Sequence, residues 1–308
     1  MTNVERVPYD EFSMFHENAA EYGLPYDGPP TVRREAVEVE PGRSLSALVW
    51  GDGPAELVLL HGGAQNAHTW DTVALALDRP LVAIDLPGHG HSDGGRAGGN
   101  RVEGNAADVA AAIRALAPEA RAVVGMSLGG VTTLGLARHA PDLVRSIVLV
   151  DITPGVDHQK AGSIIAFVNG PASFDSFDDL LARTIAFNPT RTESSLRRGI
   201  LHNAVQREDG SWVWRYARHR EPLGGGEAGE AGQIDFGALW DVLSGLTVPV
   251  MLVRGMLPQS VVSDEDEAEL VRRCPTARIE HVEGAGHSVQ GDRPLELAAA
   301  VSDFVART

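Results

Sequence analysis

Lysine is almost absent from this 308-residue chain: Lys160 stands alone among 26 basic residues, and the rest are arginine. A Schiff-base or pyridoxal-phosphate enzyme needs an amine nucleophile, which only Lys160 could supply. A phosphate loop of the form G-x-x-x-x-G-K-[ST] needs a Gly-Lys dipeptide, and the sequence has none. Cysteine is as scarce. Cys274 is the single one, so neither an intrachain disulfide nor a cysteine zinc cluster can form. Its position before Pro275 reads as a small, partly buried residue at a helix end. Long apolar runs are also missing. Nothing approaches the roughly 20 apolar residues of a membrane span, and residues 1–20, with Glu5, Arg6, Asp10 and Glu11, do not read as a signal peptide. These absences predict a cytoplasmic, reduced protein without a membrane partner. Positive charge is in deficit as well. Against 42 Asp and Glu the formal charge is −16, which disfavours nucleic-acid partners because phosphates would be repelled.

What the chain does have is an α/β rhythm. Residues 1–31 are polar and read as an N-terminal extension with one short helix around 10–21. Strand patterns follow at 32–39, 45–50 and 56–61, the last holding the continuous apolar run Leu57-Val58-Leu59-Leu60. Such a run suits a strand buried on both faces of a parallel sheet. Helical stretches at 69–77, 102–116 and 128–140 then alternate with strands at 81–85, 122–126 and 145–151. Strands separated by helices imply right-handed crossovers and a doubly wound sheet. The rhythm stops at Ile152 and resumes at Val248. The expected organisation is one α/β core, 32–151 and 247–308, interrupted by a mainly helical insertion at 152–246.

Three loops carry the chemistry. Gly125-Met126-Ser127-Leu128-Gly129 lies between an apolar strand and a helical stretch, the context in which G-x-S-x-G presents a nucleophilic serine. The two glycines relieve crowding beside a sharp turn. The helix N-terminus favours developing negative charge there. His61-Gly62-Gly63 ends an upstream strand. Acyl transfer creates an oxyanion, and backbone N–H groups of Gly63 and Leu128 are placed to stabilise it. Gly284-Ala285-Gly286-His287 follows the last predicted strand and supplies the general base, His287. Among the other histidines, His61 reads as a structural turn residue, and His89 and His91 as parts of a tight loop.

The order of His61-Gly62-Gly63, Asp85-Leu86-Pro87-Gly88-His89-Gly90-His91-Ser92, Gly125-Met126-Ser127-Leu128-Gly129-Gly130 and Gly284-Ala285-Gly286-His287 resembles that of α/β-hydrolase fold proteins. The chain is similar to capped, esterase-like members of that superfamily. The resemblance implies a mostly parallel central sheet flanked by helices, with the insertion as a lid. It also exposes a departure. Most relatives carry the triad acid in a Gly-x-x-Asp pattern after the strand that here ends at Arg254. In Gly255-Met256-Leu257-Pro258 that slot holds proline. Some branches place the acid after the strand that follows the nucleophile helix, which assigns Asp151 to orient His287, with Asp264 as the alternative. Ser263-Asp264-Glu265-Asp266 reads better as a helix N-cap with an acidic first turn.

Within the insertion, Trp212, Trp214 and Tyr216 alternate along a predicted strand, so they share a face. Trp212 and Trp214 are candidate pocket residues, although packing of the insertion onto the core accounts for the same pattern. The His68-Thr69-Trp70 segment could border the pocket too, although Trp70 reads as packing for its helix. Gly224-Gly225-Gly226-Glu227-Ala228-Gly229 fits G-x-G-x-x-G formally, but no apolar strand precedes it, and an acidic loop is the better reading. The expected function is hydrolysis of a carboxylic ester or lactone of small-molecule size through an acyl-enzyme on Ser127, with no cofactor or metal. Carbon–carbon bond hydrolysis of a dienoic diketone, with the same triad, is one alternative. A ligand-binding member without turnover is another. Epoxide hydrolases and haloalkane dehalogenases of this fold use Asp where this chain has Ser127.

Overall fold

The computed structural model describes residues 6–95, 101–155, 158–216 and 235–308. The glycine-rich loop around 224–229 lies outside them. Eight strands form the main sheet in the order β1 (Val32–Glu40), β2 (Arg43–Trp50), β4 (Leu81–Ile84), β3 (Leu57–Leu60), β5 (Ala122–Met126), β6 (Ile147–Val150), β10 (Val250–Gly255) and β11 (Arg278–Val282). β1 pairs antiparallel with β2, and β2 with β4; every later pair is parallel. All residues of β3, β4, β5, β6 and β10 are buried, as continuous apolar runs between two helical layers require.

The two faces of the sheet bury separate cores. One packs the helices Arg101–Leu116, Leu128–His139 and Phe236–Ser244; the other packs Asp71–Leu77 and Pro294–Arg307. Between β6 and β10 the chain leaves the sheet. This insertion contains the helices His158–Val168, Phe177–Phe187 and Glu193–Asn203, and a small sheet in which β7 (Ser173–Phe174), β9 (Trp212–Trp214) and β8 (Ala204–Gln206) pair antiparallel in that order.

The N-terminal segment is more than a polar extension. Its helix, Phe15–Tyr22, inserts Phe15 into the core, 1% exposed, with its ring 5.0 Å from that of Trp50. Met14, one residue earlier, belongs instead to the apolar cluster of the insertion, with Trp212 and Trp214. Glu21 and Glu17 reach the buried Arg198 of the insertion, while Glu11 pairs with Arg34 of β1. The segment therefore joins core to insertion.

Candidate active site

The turn after β5 shows why glycine flanks the serine. Ser127 has φ 51°, a left-handed conformation rare for a side chain with Cβ. A Cβ on Gly129 would lie 2.1 Å from the Leu60 carbonyl oxygen, and one on Gly125 2.5 Å from that of Gly129. The tight strand–turn–helix exists only because both are absent. It leaves Ser127 at the start of the helix Leu128–His139, lining a cavity of about 1690 Å³. Gly63, Leu128 and His287 line the same cavity. Leu128 is the first helical residue, where an N–H has no intrahelical acceptor. Among the described residues no hydrogen bond engages the Gly63 N–H.

His287 and Asp151 come from opposite sides of β10 and meet, His287 Nδ1 lying 2.9 Å from Asp151 Oδ2. That leaves Nε2 of His287 as the ring nitrogen not engaged by Asp151. Asp151 is fully buried, and its charge is met by a ring of donors. Oδ1 accepts the Gly255 N–H at 3.0 Å and the Ser260 hydroxyl at 2.6 Å, and Oδ2 accepts the Val261 N–H at 3.0 Å. These donors run from the end of β10 into the loop in which Pro258 replaces the acid that the resemblance implies. The loop that lacks a carboxylate thus wraps one from the neighbouring strand. Sequence reading did not single out Ser260, because a serine in a loop carries no signal until its partner is known. Asp264 lies elsewhere: its side chain is 88% exposed and pairs with Arg254 at 2.8 Å. Ser263 and Asp266 form the capping box of that helix.

The histidines near the turn after β3 are structural, and their roles are specific. His61 donates from Nδ1 to the Gly62 carbonyl at 2.7 Å and accepts the Leu86 N–H at Nε2, 2.9 Å. His89 donates from Nδ1 to the Pro87 carbonyl at 3.0 Å and accepts the Ala64 N–H at 3.1 Å. Each needs a neutral ring with one protonated nitrogen. Burial holds His61 below its ordinary range and, with repulsion from His61, holds His89 down to about 3. Asp85 completes the loop by accepting the N–H groups of Ala67 and His91 and the Arg34 guanidinium. Burial opposes its charge, but Arg34, His61 and these donors outweigh burial and hold its carboxyl below the usual range. A Cβ on Gly90 would lie 2.3 Å from the Asp85 carboxyl, which accounts for that glycine.

Trp214 and Tyr216 line the cavity, stacked at 5.7 Å, with Phe167 and Phe187 beyond them. Trp212, the other expected pocket residue, is not in the lining. It is buried on Phe177 at 5.1 Å because the short β9 turns it into the insertion's own core. The shared face predicted for the three aromatics ends with β9, since Tyr216 lies beyond the strand. His68 lines the cavity and Trp70 is core.

The fold, the strained serine turn and a carboxylate–imidazole pair beside the same cavity define a class, and a family model described as the alpha/beta hydrolase family matches residues 57–300. The chain belongs to that family. It is 43% identical to esterase Rv0045c of Mycobacterium tuberculosis over 98% of this chain and 97% of that protein. A crystal structure of that esterase superposes with a TM-score of 0.81 at 42% identity, over 99% of this chain and 100% of that one. It is also similar to 2-(acetamidomethylene)succinate hydrolase of Mesorhizobium japonicum, at 29% identity over 87% of this chain and 94% of that protein.

Proposed function

We propose that this hydrolase cleaves carboxylic esters through an acyl-enzyme on Ser127. The carrying observation is the 2.9 Å contact between His287 and Asp151 beside a cavity that also holds Ser127, Gly63 and Leu128. His287 takes the Ser127 proton as its oxygen attacks the ester carbonyl, then returns it to the leaving alcohol. Asp151 fixes the imidazole tautomer and balances the imidazolium formed in each step. The N–H groups of Gly63 and Leu128 receive the oxyanion, which the helix N-terminus further favours. Water activated by His287 then releases the acid. A lactone presents the same carbonyl and is a substrate of the same kind.

The similarity to an esterase over nearly the whole chain supports the ester reading over carbon–carbon bond hydrolysis or binding without turnover. The core comprises 32–151 and 247–308 together with the helix Phe236–Ser244, which packs on the sheet although the sequence boundary left it in the insertion; the insertion before that helix acts as the cap, its Trp214, Tyr216 and Phe167 forming an apolar wall for the acyl or alcohol group. No helix among the described residues is long and apolar enough to cross a membrane. We assign the protein to the cytoplasm, whose reducing conditions suit its single free cysteine, Cys274, and without nucleic-acid partners, because a charge of −16 repels phosphates. The test is labelling of folded wild type and Ser127→Ala by a fluorophosphonate, alongside turnover of short-chain p-nitrophenyl esters. One label per chain and measurable turnover are expected, both lost in Ser127→Ala. Absence of labelling in folded wild type overturns the mechanism.

A further inference from the structure

We propose that Arg191 and Ser195 form an anion subsite in the active-site cavity, so that the ester cleaved at Ser127 carries a second, free carboxylate. This rests on the ester reading above and names the substrate class within it. Arg191 and Ser195 line the same cavity as Ser127 and His287. A Cβ on Gly291 would lie 3.0 Å from Cζ of Arg191. Gly291 belongs to the helical turn Val289–Asp292 that follows His287, so the guanidinium sits about one turn of helix beyond the general base.

The distinguishing feature is a charge without a partner. Arg34 meets Glu11 at 2.7 Å and Asp85 at 2.9 Å, and Arg254 meets Asp264 at 2.8 Å and Glu267 at 2.9 Å. Arg198, next to Arg191 in the cavity wall, pairs with both Glu17 and Glu21. Among the described residues no carboxylate lies within ion-pair distance of Arg191. A guanidinium has five N–H groups, and the one side-chain bond made here runs from Nη2 to Ser195 Oγ at 2.6 Å. Nε is shut away from solvent without an acceptor. Burial is the largest influence on the group and holds its pKa below the ordinary arginine range, against the attraction of Asp292 and Glu21.

Those two acids are committed elsewhere. Asp292 accepts the Thr190 hydroxyl at Oδ1, 3.0 Å, and the Gly286 N–H at Oδ2, 2.8 Å. Glu21 pairs with Arg198 and accepts the Thr192 hydroxyl. Neither can turn to Arg191 without releasing the His287 loop or the N-terminal helix.

Ser195 is a second, independent observation. Its Oγ accepts from Arg191, so its own proton points away from the guanidinium, and no described group accepts it. The residue is 8% exposed and lies in the first turn of the insertion helix Glu193–Asn203, whose N-terminus favours negative charge. Cation and hydroxyl thus offer unused donors side by side. A carboxylate matches them in charge and in its capacity to accept several N–H and O–H bonds at once. A purely apolar chain would leave them unsatisfied. Arg191 comes from the insertion and Ser127 from the core, so their separation sets the length between the scissile carbonyl and the free carboxylate. Monoesters of straight-chain dicarboxylic acids have the required form.

The test compares the monomethyl esters of succinic through suberic acid with methyl esters in which an isopropyl group replaces the free carboxylate. Expected is a preference in kcat/KM of about 10–100-fold for the free acid at one chain length. Arg191→Gln removes that preference, chiefly through KM, and Arg191→Lys retains part of it, because charge without the planar fork holds a carboxylate less well. Ser195→Ala lowers it about 3–10-fold. Arg101 also lines the cavity without an ion pair among the described residues, and Arg101→Gln keeps the preference. Equal turnover of acids and isosteres overturns the proposal. So does a preference that survives Arg191→Gln, or one that is lost in Arg101→Gln. Should Arg191→Gln fail to fold, an unchanged preference in Ser195→Ala overturns it equally. If no ester of either kind is turned over, that failure belongs to the ester reading, and calorimetry of the same monoesters with Ser127→Ala decides the subsite. Binding weakened about 10-fold by adding Arg191→Gln supports it, and no binding, or binding indifferent to Arg191, overturns it.

Discussion

Nε2 of His89 accepts the backbone N–H of Ala64 at 3.1 Å, which ties the loop after β4 to the residue directly following Gly63. Ala64 has φ 61°, so the turn carrying the proposed oxyanion donor is held in a left-handed conformation partly by an imidazole lone pair. A proton on that nitrogen would set two N–H groups against each other.

The consequence is acid lability with a defined window. His89 is held down to about 3 in the folded protein against an ordinary 6.5. The unfolded chain therefore binds a proton that the folded one refuses. This contribution to stability is complete above pH 6.5 and is lost as the pH falls towards 3, at a slope of at most about 1.4 kcal/mol per pH unit from this one group. Melting temperature should fall between pH 7 and pH 5, and His89→Gln, which retains an acceptor but cannot titrate there, should show a shallower fall. Equal slopes would remove His89 from the account.

Asp151 is expected to dominate the acid role. Asp151→Asn should lower kcat about 10³–10⁴-fold with the fold intact, because the amide can hold His287 in the wrong tautomer. Asp264→Asn, at an exposed helix start, should change turnover less than twofold. Ser260→Ala should lie between them, at about a 10-fold loss in kcat with KM unchanged, since it removes one donor from a buried carboxylate. Steady-state kinetics of the three variants decide the matter, and near-wild-type turnover in Asp151→Asn would sink the assignment.

Gly129→Ala should fail at the level of folding. The added methyl would sit 2.1 Å from a backbone oxygen of β3, which no rotamer can relieve. A destabilisation of about 3 kcal/mol or more is expected, read from urea unfolding. Gly63→Ala should fold well, because a Cβ there meets nothing within 4 Å.

Phe15→Ala tests whether the N-terminal segment belongs to the folded unit. Removing a ring that is 1% exposed and packed on Trp50 should cost about 3–5 kcal/mol. A loss under 1 kcal/mol in chemical denaturation would make the segment an appendage after all.

Much of this was readable beforehand, for physical reasons that differ by element. β3 to β6 and β10 are buried on both sides, so their sequences are nearly pure apolar runs flanked by turn residues. The serine turn announces itself because steric exclusion leaves glycine as the only residue at two fixed positions. The insertion hid most of its sheet: β9 showed as the alternating Trp212 and Trp214, but β7 has two residues and β8 three, too short for any period to register. Trp212 and Trp214 share a sequence pattern, but only the packing of β9 decides which one meets the cavity. Met14 and Phe15 are two apolar residues in a polar stretch, and their partners come from opposite parts of the chain. The donors around Asp151 were hidden for a similar reason, since Gly255, Ser260 and Val261 act on a residue from another strand.

The position of Asp151 has a bearing on how such a protein can change. It is the last residue before the chain departs from the sheet, with φ 47°, and Ile152 after it packs so closely that a Cβ on Gly130 would meet it at 2.3 Å. The attachment point of the insertion and the proposed acid are therefore consecutive in the chain. Lids grafted from relatives must be joined downstream of Ile152, or they will drag the carboxylate from its nest. With the acid in the loop after β10, insertion and acid would vary independently; here a recombination junction misplaced by two residues is a loss of catalysis, whatever substrate the new lid was chosen to admit.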